Sequence, residues 1–186
     1  MSEVFQAGDF DYDECTLLSS SGVSYPNFET QVASITLFEN IFQNSMHGQL
    51  TVVDTNNLPM NMPLTGQDYL ILKIKTPNIP KPVVNHVFCI TQLISSAELS
   101  TSATTYTFKL ISPEALRNNR VRVQGSYTDT PSNVIEQVLT NVIKSTKNIT
   151  IETTTGIRKY ISPYSRPFDF IKDITRESIS SKSQSP

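Results

Sequence analysis

Charge is scarce in this sequence: Asp, Glu, Lys and Arg make up 17% of its 186 residues, against about 25% in an average soluble protein. The formal net charge is −2 and the isoelectric point lies near 5.7. Proteins that grip nucleic acid through its phosphates run strongly basic, so the chain carries no electrostatic footprint for that class of partner. Its longest basic cluster is Arg117, Arg120 and Arg122. Strand alternation would put Arg120 and Arg122 on one face and Val121 and Val123 on the other, which reads as a solvated face rather than a phosphate site.

The residues that carry most chemistry are equally sparse. There are two cysteines, two histidines and no tryptophan. Cys89 lies inside the apolar run HVFCITQLI, so a buried thiol is the default reading, with a disulfide to Cys15 as the alternative. His47 and His86 have no ligand spacing with the cysteines or the acids. His47 precedes a glycine at a strand start and reads as a turn histidine. The acidic run Asp9, Asp11, Asp13 and Glu14 superficially resembles a calcium loop, but Glu14 stands where the glycine belongs and Ser20 where the twelfth-position glutamate belongs. It reads as a solvated segment. No GxSxG, HExxH or phosphate-loop pattern occurs. Glu136 and Asp129 cannot be placed in one cleft from the sequence. The expectation is no catalytic residue, no cofactor site and no metal site.

No run approaches the ~18 consecutive apolar residues of a membrane helix, so no membrane insertion is expected. The opening MSEVFQAGDFDYDEC is acidic and lacks an apolar centre, so it does not read as a secretory signal. Synthesis in the cytoplasm follows, and without secretion the acceptor pattern Asn148-Ile149-Thr150 has no meaning.

What the sequence does contain is β patterning. Hydrophobic residues make up 38%, enough for a packed core and too many for disorder. From about Asp13 to Ile111 the apolar period is mostly two. Strands are predicted over Glu29–Phe38, Gly48–Val53, Tyr69–Lys75, Val87–Ile94 and Thr104–Ile111. Leu70, Leu72 and Ile74 should face inward, opposite Lys73 and Lys75. Tyr106, Phe108 and Leu110 should also face inward. Asp54-Thr55-Asn56-Asn57 is a turn. The serine- and threonine-rich SSAELSTSATT reads as a solvated hairpin connection, and PNIPKP as a loop. Several strands at this spacing imply a barrel or a sandwich.

After Ser112 the period changes. Ser112–Arg117 reads as a short helix with Ser112 as cap and Pro113 in its first turn. The largest helix is predicted over Pro131–Ser145, with Thr130 as cap. Val134, Ile135, Val138, Leu139, Val142 and Ile143 form one apolar stripe along it. Burying six such side chains is worth about 10 kcal/mol gross. Its polar face has too few cations for a membrane surface, so the stripe reads as core. A strand over Asn148–Glu152 and a helix over Pro167–Ile179 follow, the helix with Phe170, Ile171 and Ile174 inward. The chain ends on the polar stretch SSKSQSP.

Five stretches together resemble a known family: LFENIF, GQLTVVDTNNL, MPLTGQDYLILKI, YTFKLISPEALRNNRVRV and RPFDFIKDITRESIS. In this order and spacing, from about Gln31 to Ser181, the chain is similar to the N-terminal part of the baseplate hub protein of contractile-tailed phages of the T-even-like group. The resemblance implies a mainly β, α+β architecture: a tube-like antiparallel β-barrel domain over 1–112 and a smaller mixed α+β domain over 113–186, inserted into the barrel. It implies a structural virion protein, a homotrimer at the tail axis that links the membrane-piercing spike protein to the tail tube and other baseplate proteins. Two tube-like domains per subunit would give a pseudo-six-fold ring. The genome DNA would pass through its bore without specific binding. The family has no catalytic residues in the hub, so none carry over.

The resemblance also implies that such hubs run to about twice this length, with an aromatic-rich strand after the last helix. The chain is therefore expected to be a fragment whose barrel is left open. Low charge with much Ser and Thr is compatible with a surface later buried between subunits. Two other readings remain: a soluble β-rich module that binds a carbohydrate or host surface, and the spike protein of a related secretion system. Which residues form the interface is not legible in the sequence.

Overall fold

The computed structural model describes residues 9–25, 27–61, 63–77 and 84–182. The chain divides between Pro113 and Glu114 into two compact units.

In the first unit the period-two runs become strands β1 (Asp11–Leu18), β2 (Ser24–Tyr25), β3 (Val32–Phe38), β4 (His47–Asp54), β5 (Asp68–Lys75), β6 (Val84–Ser100) and β7 (Ala103–Ile111). A 3-10 turn (Phe28–Gln31) precedes β3, and a one-turn helix α1 (Leu58–Asn61) follows β4. The strands form one antiparallel sheet in the order β2-β1-β5-β6-β7-β4-β3. Leu70 and Leu72 are buried as the alternation requires, with Ile74 packed beside them, and so are Phe108 and Leu110 with Tyr106 beside them. On the other face of β5, Lys73 and Lys75 pair across the ladder with Glu14 at 2.6 Å and Asp13 at 3.3 Å. Both pairs are well exposed, so each adds at most about 1 kcal/mol.

One hydrophobic cluster joins Leu17 of β1 to Leu50 and Val52 of β4. Those strands are four steps apart in the sheet, about 19 Å if it were flat. They share a core because the sheet coils. The 3-10 turn packs against both β1 and β4 and drops Phe28 into the space between them. The sheet nevertheless stays open: the β1–β2 end and β3 do not pair.

Two boundaries differ from the sequence reading. Glu29–Gln31 is 3-10 turn rather than strand, because Asn27 takes a left-handed φ of 52° and redirects the chain inward. SSAELSTSATT is not a loop. β6 continues to Ser100 and β7 starts at Ala103, leaving a two-residue turn at the end of a long arm. Every residue from Gln92 to Ser100 is exposed, so neither face has an apolar alternation to read. The PNIPKP loop lies almost wholly outside the described residues.

At Gly48 of β4 the backbone of β3 comes close. An added Cβ there would lie 2.6 Å from the Thr36 carbonyl oxygen and 2.9 Å from Leu37 Cδ2. Gly48→Ala is therefore expected to cost about 1–3 kcal/mol, since β3 must move to admit it. A urea midpoint unchanged by the substitution would show that β3 yields freely.

The second unit contains α2 (Pro113–Arg120), β8 (Val123–Asp129), α3 (Pro131–Gln137), which runs into a π-helical turn (Val138–Val142), β9 (Arg158–Ser165) and α4 (Pro167–Glu177). β8 and β9 form a two-stranded antiparallel sheet. Val123, Val134, Val138, Tyr160, Phe170 and Ile174 make its core, with Ile135, Val142 and Ile171 packed around them. Of the predicted apolar stripe, Val134, Val138 and Ile143 are buried, while Ile135, Leu139 and Val142 are partly buried. Thr130 stands at the N-cap without a side-chain capping bond; its hydroxyl meets that of Ser132 at 3.3 Å. Thr154 Oγ1 instead accepts the Ser132 amide at 2.9 Å. Ser112 likewise gives α2 no cap, and its Oγ makes no hydrogen bond among the described residues.

The helix expected to reach Ser145 stops earlier. Lys144 turns left-handed, with φ 54°, and Arg117 donates to the carbonyls of Ile143 and Lys144. The expected strand over Asn148–Glu152 does not form; among the described residues no strand pairs with it. The alternation expected over Arg120–Val123 is also absent, since Arg120 ends α2 and β8 starts only at Val123.

Glu114 sits in this unit beside Lys147 Nζ at 3.2 Å and Ser145 Oγ at 3.2 Å. Burial alone would raise its carboxyl. Its own backbone amide, Lys147 and Ser145 outweigh burial and hold it below the ordinary 4.5. A depressed carboxyl adds stability above its unfolded value and loses it as pH falls through the folded value. Glu114→Gln is therefore expected to flatten the loss of stability below pH 4.5, read as melting temperature against pH. An unchanged slope would contradict the pairing.

Candidate subunit interface

The residues with chemical potential are spread through the fold rather than gathered. His47 opens β4 and stacks on Phe38 with ring centroids 5.1 Å apart. His86, on β6, meets Phe88 edge-on at 6.0 Å. Cys15 and Cys89 are both buried and form no disulfide. Burial, helped by Glu29, pushes the Cys15 thiol up to about 12, so it is no nucleophile at neutral pH. Asp13 and Glu14 are taken up by the lysines of β5. Asp129 Oδ1 accepts the Thr130 amide and the Asn133 side chain at the start of α3. Glu136 is exposed on that helix. Among the described residues, no group of three or more His, Cys, Asp or Glu side chains could hold a metal ion. No helix among them is long and apolar enough to cross a membrane.

The sheet's margins are the distinctive feature. In the seven-stranded sheet, the two-residue β2 and three longer stretches have one side unpaired among the described residues. β3 pairs only with β4. Beyond Ile90, β6 leaves β5 and continues with β7 as its only partner. β1 is flanked by β2 only at Leu17 and Leu18, so Asp11–Thr16 is open on that side. Unpaired strand edges invite pairing with another chain, and soluble monomers blunt them with charge. Asp11, Asp13 and Glu14 do so on β1. β3, VASITLF, has no charged residue, and Gln92–Ser100 has one, Glu98. Bulges occur on all three stretches and do not separate them; charge does.

Apolar side chains lie exposed beside these two sparsely charged edges. Phe38 ends β3, and Leu93, Ile94 and Leu99 stand on the arm. Ile41 and Phe42, in the turn after β3, are 93% and 92% exposed. That turn is ordered by its own bonds: Asn40 accepts the Phe42 amide on Oδ1 at 2.9 Å and the Gln43 amide on its carbonyl at 3.0 Å. The sequence analysis ended the strand at Phe38 and gave Ile41 and Phe42 no role of their own. The available signal was two large apolar residues outside the alternation, between Asn40 and Gln43.

No protein-family model matches the sequence, and no curated protein matches it. Among solved structures, the chain is similar in fold to the 43 kDa tail protein of prophage MuSo2 from Shewanella oneidensis. The TM-score is 0.59 and the identity 10%, over 88% of this chain and 48% of that one. A weaker likeness, TM-score 0.49 at 12% identity, is to the Francisella PdpA-VgrG complex, over 94% of this chain and 31% of that one. The chain thus shares its fold with a phage tail protein and spans about half that protein's length.

Proposed function

We propose that the chain is a structural subunit of a phage tail baseplate: the hub that joins a three-fold spike to the tail tube. The observation that carries this reading is the pair of sparsely charged strand edges, β3 and the distal part of β6, on an open, coiled sheet, in a fold shared with a phage tail protein. Such edges are a liability in a free monomer and an asset in a ring, where a neighbour covers them. Charged residues are also depleted at the centre of protein interfaces. In this reading the chain performs no catalysis and needs no cofactor. Three copies surround the axis, contact the spike below and the tube above, and line a bore for the genome. A net charge of −2 favours passage of DNA over capture. In the assembled ring the sheet's open side is covered by a neighbouring part of the baseplate.

The test is immunogold electron microscopy of assembled tails carrying an epitope-tagged chain. Label confined to the tail axis at the baseplate is expected. Label along the tube or on peripheral fibres would overturn the assignment.

A further inference from the structure

We infer that the outer face of the β8–β9 ribbon docks a second tail protein, one that presents an apolar patch flanked by carboxylates. This rests on the tail reading above and names where one partner binds.

Charge is divided unevenly between the two units. Residues 1–113 hold ten acids against four cations, a net of −6, and residues 114–186 hold eleven cations against seven acids, a net of +4. The near-neutral total hides this split. Within the second unit the cations gather at the ribbon. Arg120, Arg122, Arg158, Lys159 and Arg166 stand on or beside its strands, against Asp129 alone. Arg122 and Arg158 donate to backbone carbonyls, those of Asn119 and Val121 and that of Glu177. Arg120, Lys159 and Arg166 are exposed and meet no carboxylate among the described residues.

Strand alternation fixes what lies between these cations. Tyr160 and Ser162 of β9 are buried, so Lys159, Ile161 and Pro163 face out, opposite Thr128, Ser126 and Gln124 of β8. All six are exposed, Ile161 to 68%, and none is acidic. At one end of this face Tyr164 is the extra residue of a bulge, since Val123 stands opposite Ser165 and Gln124 opposite Pro163. Its φ is 64°, a left-handed conformation that is strained for a bulky side chain. Its ring is 65% exposed and makes no hydrogen bond or ring contact among the described residues. Glycine would serve that bulge without strain. A tyrosine that the fold does not use is explained by a contact outside the chain. Asn118 of α2 accepts the Phe168 amide of α4 at 2.8 Å, which holds Arg120 and Arg166 at the same end as Tyr164.

The face thus has an apolar, aromatic centre, with Lys159 at one end and Arg120 and Arg166 at the other. That is the anatomy of a protein interface, in which Tyr and Arg are enriched. Nucleic acid calls for cations along the whole track of its phosphates. A membrane surface calls for a cluster of roughly four to eight. A second copy of this chain is a poor complement, because Asp13 and Glu14 of its acidic strand β1 are already paired with lysines.

The test uses assembled tails. The chain is supplied with Ile161→p-benzoylphenylalanine, the purified tails are irradiated, and the joined peptide is sequenced by mass spectrometry. A cross-link to a different tail protein, at a peptide rich in Asp and Glu, is expected. The same probe placed at Glu136, exposed on α3, should not give that product. Lys159→Glu with Arg166→Glu should lower incorporation into tails roughly tenfold or more, and Lys159→Arg should leave it unchanged. Tyr164→Gly separates contact from fold. It should raise the melting temperature of the isolated chain by about 2–5 °C, because strain is relieved, and still lower incorporation about fivefold. If the double variant melts lower than the parent chain, the cross-link alone decides.

A cross-link to another copy of this chain, to DNA or to a peptide without acids would overturn the proposal. So would tails that give no cross-link, or the same product from Glu136. A Tyr164→Gly chain that melts lower and assembles normally would remove Tyr164 from the contact. The gold label reads the tail placement separately. Label at the axis without the cross-link removes only the docking face, and the cross-link with label elsewhere removes only the hub.

Discussion

A Val138→Asp chain is expected to lose most of the stability of its second unit. Val138 is fully buried, at 0% exposure, among Val123, Val134, Tyr160, Phe170 and Ile174. Aspartate is close to valine in size, so overpacking contributes little. The cost is a carboxylate placed where no described cation or donor is assigned to meet it. Uncompensated burial of this kind costs about 3–5 kcal/mol, whether the group stays charged or takes up a proton. A folded unit of this size holds only about 4–10 kcal/mol. Lys144→Ala, an exposed change in the same segment, should move stability by no more than about 0.5 kcal/mol. Thermal melts, with hydrogen exchange to follow each unit, check this. Protection should fall across 123–174 and persist on β4 to β7. Equal small shifts for both variants would mean that the stripe is not buried.

Asp68→Ala should be nearly as damaging to the first unit. Asp68 is fully buried at the start of β5 and accepts the Thr65 amide at 2.7 Å, the Gly66 amide at 3.2 Å and the Ser20 amide at 3.3 Å. It fixes the turn before β5 and ties it to the turn after β1. Gly66, at φ 78°, supplies the left-handed step that brings its amide round. Hydrogen bonds to a charged acceptor are worth about 1.5–3 kcal/mol each, and orphaned buried donors cost a comparable amount. These turns are only partly buried, so water recovers some of the loss. A net cost of about 3 kcal/mol is expected. Asp68→Asn keeps one acceptor oxygen and should cost roughly half as much. Urea midpoints of the two variants give the comparison. A shift below about 0.5 kcal/mol for Asp68→Ala would show that water serves these amides as well as the carboxylate does.

The parts of this fold legible in the sequence are those where one face is buried. Leu70 and Leu72 against Lys73 and Lys75 gave β5 away, and the Val134-to-Ile143 stripe gave α3. The period switch near Ser112 marks where strand patterning gives way to helical patterning. The distal arm of β6 was not legible, because with both faces in water no alternation is selected. β9 was missed for a related reason: its exposed positions include Ile161 and Tyr164 beside Pro163, which blur any period of two. The Asn148–Glu152 run, by contrast, alternates without a neighbouring strand to pair with. Tertiary context decides such cases, not local pattern. The candidate interface was the least legible part. An edge is a property of sheet order, and order emerges only when β3 and the arm of β6 are seen to lack outer neighbours. Its low charge was visible from the start, but not which strands that low charge would leave unprotected.

The most direct test of the hub reading is cryo-electron microscopy of the intact particle that carries this chain, with the chain traced and its copies counted. Three copies around the tail axis, between spike and tube, with the open flank of β6 covered by a neighbouring part of the baseplate, are the expected result. Six equivalent copies, or a position away from the axis, would contradict it.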